Sequence, residues 1–143
     1  MIMNFSGKSP SVYPTSALVH EFSLNDSETE NISVIMLQVY SLIQSTIAAD
    51  SNAKILFSCL QGISRSVAVM IFCLMKLSTQ KHLFNEMPKP NMTLKEAFRE
   101  VKSKRRVALP NVGFMKQLSR AEEELYGEPS SLTIGPQGQL IWR

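Results

Sequence analysis

The chain has 143 residues, of which 44% are hydrophobic and 19% charged, with a net charge of +3. That length holds one domain with a real core and excludes two, and no apolar run approaches the roughly 20 residues that span a bilayer, so no membrane partner is expected. The start, Met1-Ile2-Met3-Asn4-Phe5, lacks the charged region and long apolar core of a secretory signal, which points to the cytosol or the nucleus and to free thiols at Cys59 and Cys73.

In chain order, Met1 to Phe5, Ala17 to Phe22 and Lys54 to Phe57 suit short strands. Between the second and third lies a helix. Its apolar residues Ile32, Ile35, Met36, Val39, Leu42 and Ile43 recur at helical spacing, with Asn31 placed as its amino-terminal cap and Asp50 to Asn52 as its end. A second helix, roughly Arg65 to Leu77, is apolar on nearly every face and is expected to be the buried central one. Ser78 to Asn91, with Pro88 and Pro90, reads as a surface excursion. Thr93 and Glu96 then form a capping box ahead of the stripe Leu94, Ala97, Phe98 and Val101. The cluster Lys102, Lys104, Arg105 and Arg106 reads as a solvated helix end that steers acidic or phosphorylated partners. No interleaved aromatics or binding motif suggests nucleic acid. A fourth helix begins near Asn111, buries Phe114, Met115, Leu118 and Leu125, and stops at Gly127. Residues 128–143, rich in Gly, Pro and Ser, read as a flexible tail behind a domain spanning residues 1–127. Strand, turn, buried helix and surrounding amphipathic helices give an α/β layer architecture.

The turn carries the chemistry. Cys59 falls at a strand end and Arg65 at the start of the next helix, so the backbone N–H groups of Leu60, Gln61, Gly62, Ile63 and Ser64 can turn inward on an anion. The helix dipole adds positive potential at the same point. In that field a thiol loses its proton more easily, which makes Cys59 a candidate nucleophile. Arg65 offers a planar fork for two phosphoryl oxygens, strongest near the five-coordinate transition state, and Ser66 can donate its hydroxyl to the sulfur. A lone cysteine is more often a small buried hydrophobe, and that reading holds for Cys73. For Cys59 the combination of Gly62, Ser64 and Ser66 inside the spacing, between a strand and an apolar helix, favours function.

These residues resemble the dual-specificity protein phosphatase family of the cysteine-dependent protein tyrosine phosphatase superfamily. Its signature is His-Cys-x-x-Gly-x-x-Arg-Ser/Thr, often in a Gly-Ile-Ser-Arg-Ser form as at Gly62 to Ser66. The similarity continues through Met92 to Arg106 and Leu109 to Leu118, covers roughly residues 1–126, and is specific over 54–126. The resemblance implies a central sheet flanked by helices, hydrolysis of phosphotyrosine and phosphoserine or phosphothreonine in proteins through a phosphocysteine, and neither metal nor cofactor. It also implies a general acid on a loop before the first long helix. Matching Asn31-Ile32 to the usual Asp-Ile puts Asp26 there, with Glu28 and Glu30 as rivals.

Two departures from the family pattern stand out. Ser58 occupies the position of the usual His, removing an imidazole that helps orient the loop. The similarity also starts at the family's second or third strand, so the resemblance implies a chain shortened by a first segment on the order of 30 residues, with a sheet expected to be incomplete on its N-terminal side. Ser58 favours an alternative, a weak or inactive pseudophosphatase that shelters phosphoproteins or scaffolds a protein kinase. A sulfur-transfer domain with a similar cysteine loop fits less well, because the carboxyl-terminal helices resemble the phosphatases. Oligomeric state is not legible.

Overall fold

The structure is a computed structural model and describes residues 1–7, 13–14, 16–80 and 89–143. Three parallel strands, β1 (Ile2–Asn4), β2 (Val19–Glu21) and β3 (Leu56–Ser58), form a sheet of order β2-β1-β3. Ile2 pairs with both Val19 and Leu56, and Asn4 with both Glu21 and Ser58. β2 and β3 flank β1 and run parallel, so the chain must cross over between them, and helix α1 (Ser33–Ala49) supplies that crossover. The strands are shorter than the apolar stretches that announce them. Below them Phe5, fully buried, stacks between Phe22 and Phe57 at centroid distances of 5.2 and 6.0 Å.

Helix α2 (Arg65–Ser78) is the centre of the molecule and packs against α1, α3 (Leu94–Lys104) and α4 (Val112–Tyr126). Its residues Val67, Ala68, Val69, Ile71, Phe72, Cys73 and Met75 are all buried, as an all-round apolar helix must be. Among the described residues no helix is long and apolar enough to cross a membrane. The Thr93–Glu96 capping box is present on α3, and Asn111 Oδ1 caps α4 by accepting from Phe114 N at 2.9 Å. Gly127 ends α4 in the left-handed conformation, φ 70°. The excursion after α2 lies largely outside the described residues. Its two ends meet at Ser78, whose carbonyl and hydroxyl accept from Asn91 N and Met92 N.

One expectation is refined and one corrected. Helix α1 starts two residues after Asn31, with Ile32 in the preceding position. Asn31 Oδ1 still caps the first turn by accepting from Ser33 N, while Gln117 Oε1 of α4 takes Ile32 N. Residues 128–143 are not a loose tail. They form a hairpin of β4 (Leu132–Ile134) and β5 (Leu140–Trp142), with Gly138 at φ 78° in its turn. Trp142 packs on Phe98 of α3 at 5.2 Å between centroids.

The hairpin is also held by Glu122, buried at 3% exposure. Its carboxylate accepts from Leu94 N, Ser130 Oγ, Ser131 N and Ser131 Oγ at 2.6 to 3.1 Å. One side chain therefore joins α4, the first turn of α3 and the chain entering the hairpin. Replacing it leaves one buried and one half-buried N–H group and the buried Ser130 hydroxyl without this acceptor, so Glu122→Ala is expected to cost about 3 kcal/mol. That lowers Tm by roughly 10 °C for a chain of this size. Thermal unfolding followed by circular dichroism checks it, and a shift under 2 °C contradicts the role.

Candidate active site

Strand β3 delivers Cys59 at its end and α2 begins at Arg65, so residues 59–64 close a tight turn over the amino terminus of the central helix. Gly62 sits at φ +63°, which an L side chain rarely adopts. Gly62 N and Ser66 Oγ both donate to Cys59 Sγ at 3.2 Å. Burial pushes the pKa of the half-buried thiol up. The Ser66 hydroxyl and the backbone N–H groups of Ser66, Gly62 and Gln61 outweigh that and hold it below the ordinary thiol value. Cys73, buried inside α2, goes the other way: burial alone raises its pKa strongly.

The Arg65 side chain reaches the segments that follow β1 and β2. Its Nη1 donates to the carbonyls of Ser6 at 3.3 Å and Leu24 at 3.1 Å, which fixes the guanidinium. Its Nε is buried with no partner. A buried, unpaired donor costs about 1–3 kcal/mol, and a tetrahedral oxyanion in the turn would remove that cost. Asp26 is exposed on the segment before α1, and its Oδ1 accepts from Ser64 Oγ at 2.6 Å and Asn111 Nδ2 at 2.8 Å. Its second oxygen has no hydrogen-bond partner among the described residues. An apolar groove of about 630 Å³ runs beside the turn, lined by Phe57, Cys59, Leu60, Val67, Met70 and Val101 among others.

The sequence profile of the dual specificity phosphatase catalytic domain matches residues 2–124. The chain belongs to the dual specificity phosphatase family. It is 35% identical over 100 residues to dual specificity protein phosphatase 1 of Arabidopsis thaliana, covering 70% of this chain and 43% of that protein. To the plant's dual specificity protein phosphatase 1B it is 30% identical over 115 residues, 80% of this chain and 60% of the relative. It therefore spans less than two thirds of either protein's length. Among solved structures, human DUSP28 superposes with a TM-score of 0.71 at 27% identity, covering 88% of this chain and 78% of that one. The phosphatase fold is thus present with a small, partly formed sheet, and the profile match stops before the β4–β5 hairpin.

The phosphatase turn brings Cys59, Ser66 and Arg65 together as the sequence predicts, and it brings Asp26 to Ser64. Leu60 stands 70% exposed at its lip, while Gln61, Gly62 and Ile63 form its outer wall. Glu30 is drawn away, accepting from Asn25 Nδ2 at 2.8 Å. Ser58 faces the sheet, its hydroxyl directed to the Met3 carbonyl at 3.5 Å.

Sequence reasoning missed the support behind the turn. Asn111 N donates to Ser64 Oγ at 3.0 Å. Gly113 lies so close to the Asp26 segment that a Cβ there would fall 1.9 Å from the Glu28 carbonyl oxygen. Gln117 Nε2 donates to the Glu30 carbonyl. The only signal was that Gly113 and Gln117, four residues apart, share one face of the predicted helix that begins near Asn111.

Because hydrogen bonds lower the Cys59 pKa, its alkylation by iodoacetamide is expected to reach half-maximal rate below the pH of an ordinary thiol, about 8.5. Ser66→Ala, which removes the largest opposing contribution to burial, should move that midpoint up. Cys73 should stay unlabelled while the fold persists. Equal midpoints for wild type and Ser66→Ala would contradict the assignment.

Proposed function

We propose that this chain hydrolyses phosphotyrosine and phosphoserine or phosphothreonine in phosphorylated proteins of the cytoplasm or nucleus, through a phosphocysteine on Cys59. The observation that carries this reading is the sulfur itself, held by Gly62 N and Ser66 Oγ at 3.2 Å in the turn that leads into Arg65, whose Nε is buried without a hydrogen-bond partner. An anion in the turn would give that donor a partner.

In the first step the Cys59 thiolate attacks phosphorus, the S–P bond forms, and the P–O bond to the side chain breaks. Asp26, protonated, gives its proton to the departing oxygen. Backbone N–H groups of residues 60–65 and the Arg65 fork take up the equatorial charge as five-coordination develops. In the second step Asp26, now a carboxylate, accepts a proton from water as its oxygen attacks phosphorus. The S–P bond breaks, inorganic phosphate leaves, and the electron pair returns to sulfur, where the Ser66 hydroxyl steadies it. The free second oxygen of Asp26 is the one suited to this traffic, since Oδ1 is engaged by Ser64 and Asn111.

The plant relatives are named as phosphatases, which supports turnover over a module that only captures phosphoproteins or a protein kinase. Ser58, the residue that favours the binding module, directs its hydroxyl to the Met3 carbonyl of the sheet.

The deciding measurement is phosphate release from a phosphotyrosine peptide by wild type beside Cys59→Ser, which is expected to be inactive. Arg65→Lys should lose about 10²-fold or more, because an ammonium cannot hold two oxygens. Asp26→Asn should slow peptide turnover by roughly 10² to 10⁴ and an activated aryl phosphate much less. Equal activity of wild type and Cys59→Ser ends the proposal, and equal losses on both substrates remove Asp26 from the acid role.

A further inference from the structure

The outer face of the turn is gripped by one side chain that the reaction does not use. Arg105 follows α3, and its guanidinium donates from Nη2 to the Gln61 carbonyl at 2.8 Å and from Nε to the Gly62 carbonyl at 2.5 Å. The next carbonyl, that of Ile63, accepts from Leu109 N at 2.9 Å. Three consecutive carbonyls are thus turned toward the connection between α3 and α4.

A peptide unit is planar and trans, so its C=O and the following N–H point in opposite directions. Drawing the Gln61 carbonyl outward aims Gly62 N–H inward, and it is found on Cys59 Sγ at 3.2 Å. Drawing the Gly62 carbonyl outward does the same for Ile63 N–H. The guanidinium lies flat on the turn: a Cβ on Gly62 would sit 3.0 to 3.2 Å from its atoms. No carboxylate stands within ion-pair distance of Arg105 among the described residues, so its charge also reaches the turn uncompensated.

We propose that Arg105 is a positioning residue, which sets the inward orientation of the 61–63 peptide planes and so holds the Cys59 sulfur and the bound phosphoryl group in reacting geometry. The link to phosphoryl transfer rests on the phosphatase reading above. The link to the sulfur does not. Arg105 is exposed and adds little to the core, so its removal should disturb the turn and leave the fold standing.

The test compares wild type, Arg105→Ala, Arg105→Lys and Arg106→Ala by the pH profile of Cys59 alkylation, by peptide turnover and by Tm. Arg105→Ala is expected to raise the alkylation midpoint by about one pH unit and to lower kcat by roughly 10- to 100-fold, with KM and Tm little changed. Arg105→Lys keeps the charge and loses the fork, and should recover less than half of the midpoint shift. Arg106→Ala should match wild type. A wild-type midpoint in Arg105→Ala, full recovery by Lys, or an equal shift in Arg106→Ala overturns the proposal. Should Arg105→Ala melt below the assay temperature, Arg105→Lys decides: a midpoint above wild type supports positioning and an unchanged one refutes it. If wild type releases no phosphate, the phosphatase reading fails by itself, and the alkylation profiles still judge Arg105.

Discussion

A turn can surround an anion with backbone N–H groups only if its carbonyls are engaged elsewhere, because each peptide plane ties one to the other. Here the elsewhere is the segment from Arg105 to Asn111. It supplies a guanidinium fork for two carbonyls, a backbone N–H for a third, and a backbone N–H for the Ser64 hydroxyl. The segment is held at both ends by packing, since α3 and α4 both lie against α2, the helix that begins at the turn. The geometry around Cys59 therefore depends on helix packing, although Cys59 itself stands at a strand end.

Ser64 is where three parts of the molecule meet. Its hydroxyl donates to Asp26 and accepts from Asn111 N, while Asn111 Nδ2 reaches the same Asp26 oxygen. Gly113 and Gln117, in the first and second turns of α4, then press and pin the Glu28–Ile32 backbone. The acid-bearing segment is thus registered on α4 before it touches the turn. A loop carboxylate held in this way keeps its place without burial, and it stays exposed to the water it would activate.

The sheet contributes less than the helices. Each strand has three residues, β3 is an edge, and Leu56 on it is 58% exposed. Stability is concentrated instead in the Phe5 stack, the buried face of α2 and the Glu122 junction, which brings the β4–β5 hairpin onto α3. Through Phe98 and Trp142 that hairpin backs the helix whose end carries Arg105. Elements outside the family's extent thereby reinforce one inside it.

Local chemistry made much of this legible. The Cys59-to-Ser66 spacing, the Thr93–Glu96 capping box, the helix start near Asn111 and its stop at Gly127, and the all-apolar α2 each depend on residues within one or two turns of chain. The sequence can therefore announce them. What it could not show are contacts across long separations. Arg105 and Gln61 are 44 positions apart, Asn111 and Asp26 85, and Gln117 and Ile32 85. The same limit explains the hairpin, whose Gly, Pro and Ser content reads as a tail until Glu122 and Phe98 give it a surface to bury against. The sequence by itself determined the turn from Cys59 to Arg65 and marked Cys59 as the candidate nucleophile, because those are properties of adjacent residues. Only the tertiary structure decided how the turn is held open and where Asp26 stands, because those depend on side chains that folding alone brings within hydrogen-bond reach.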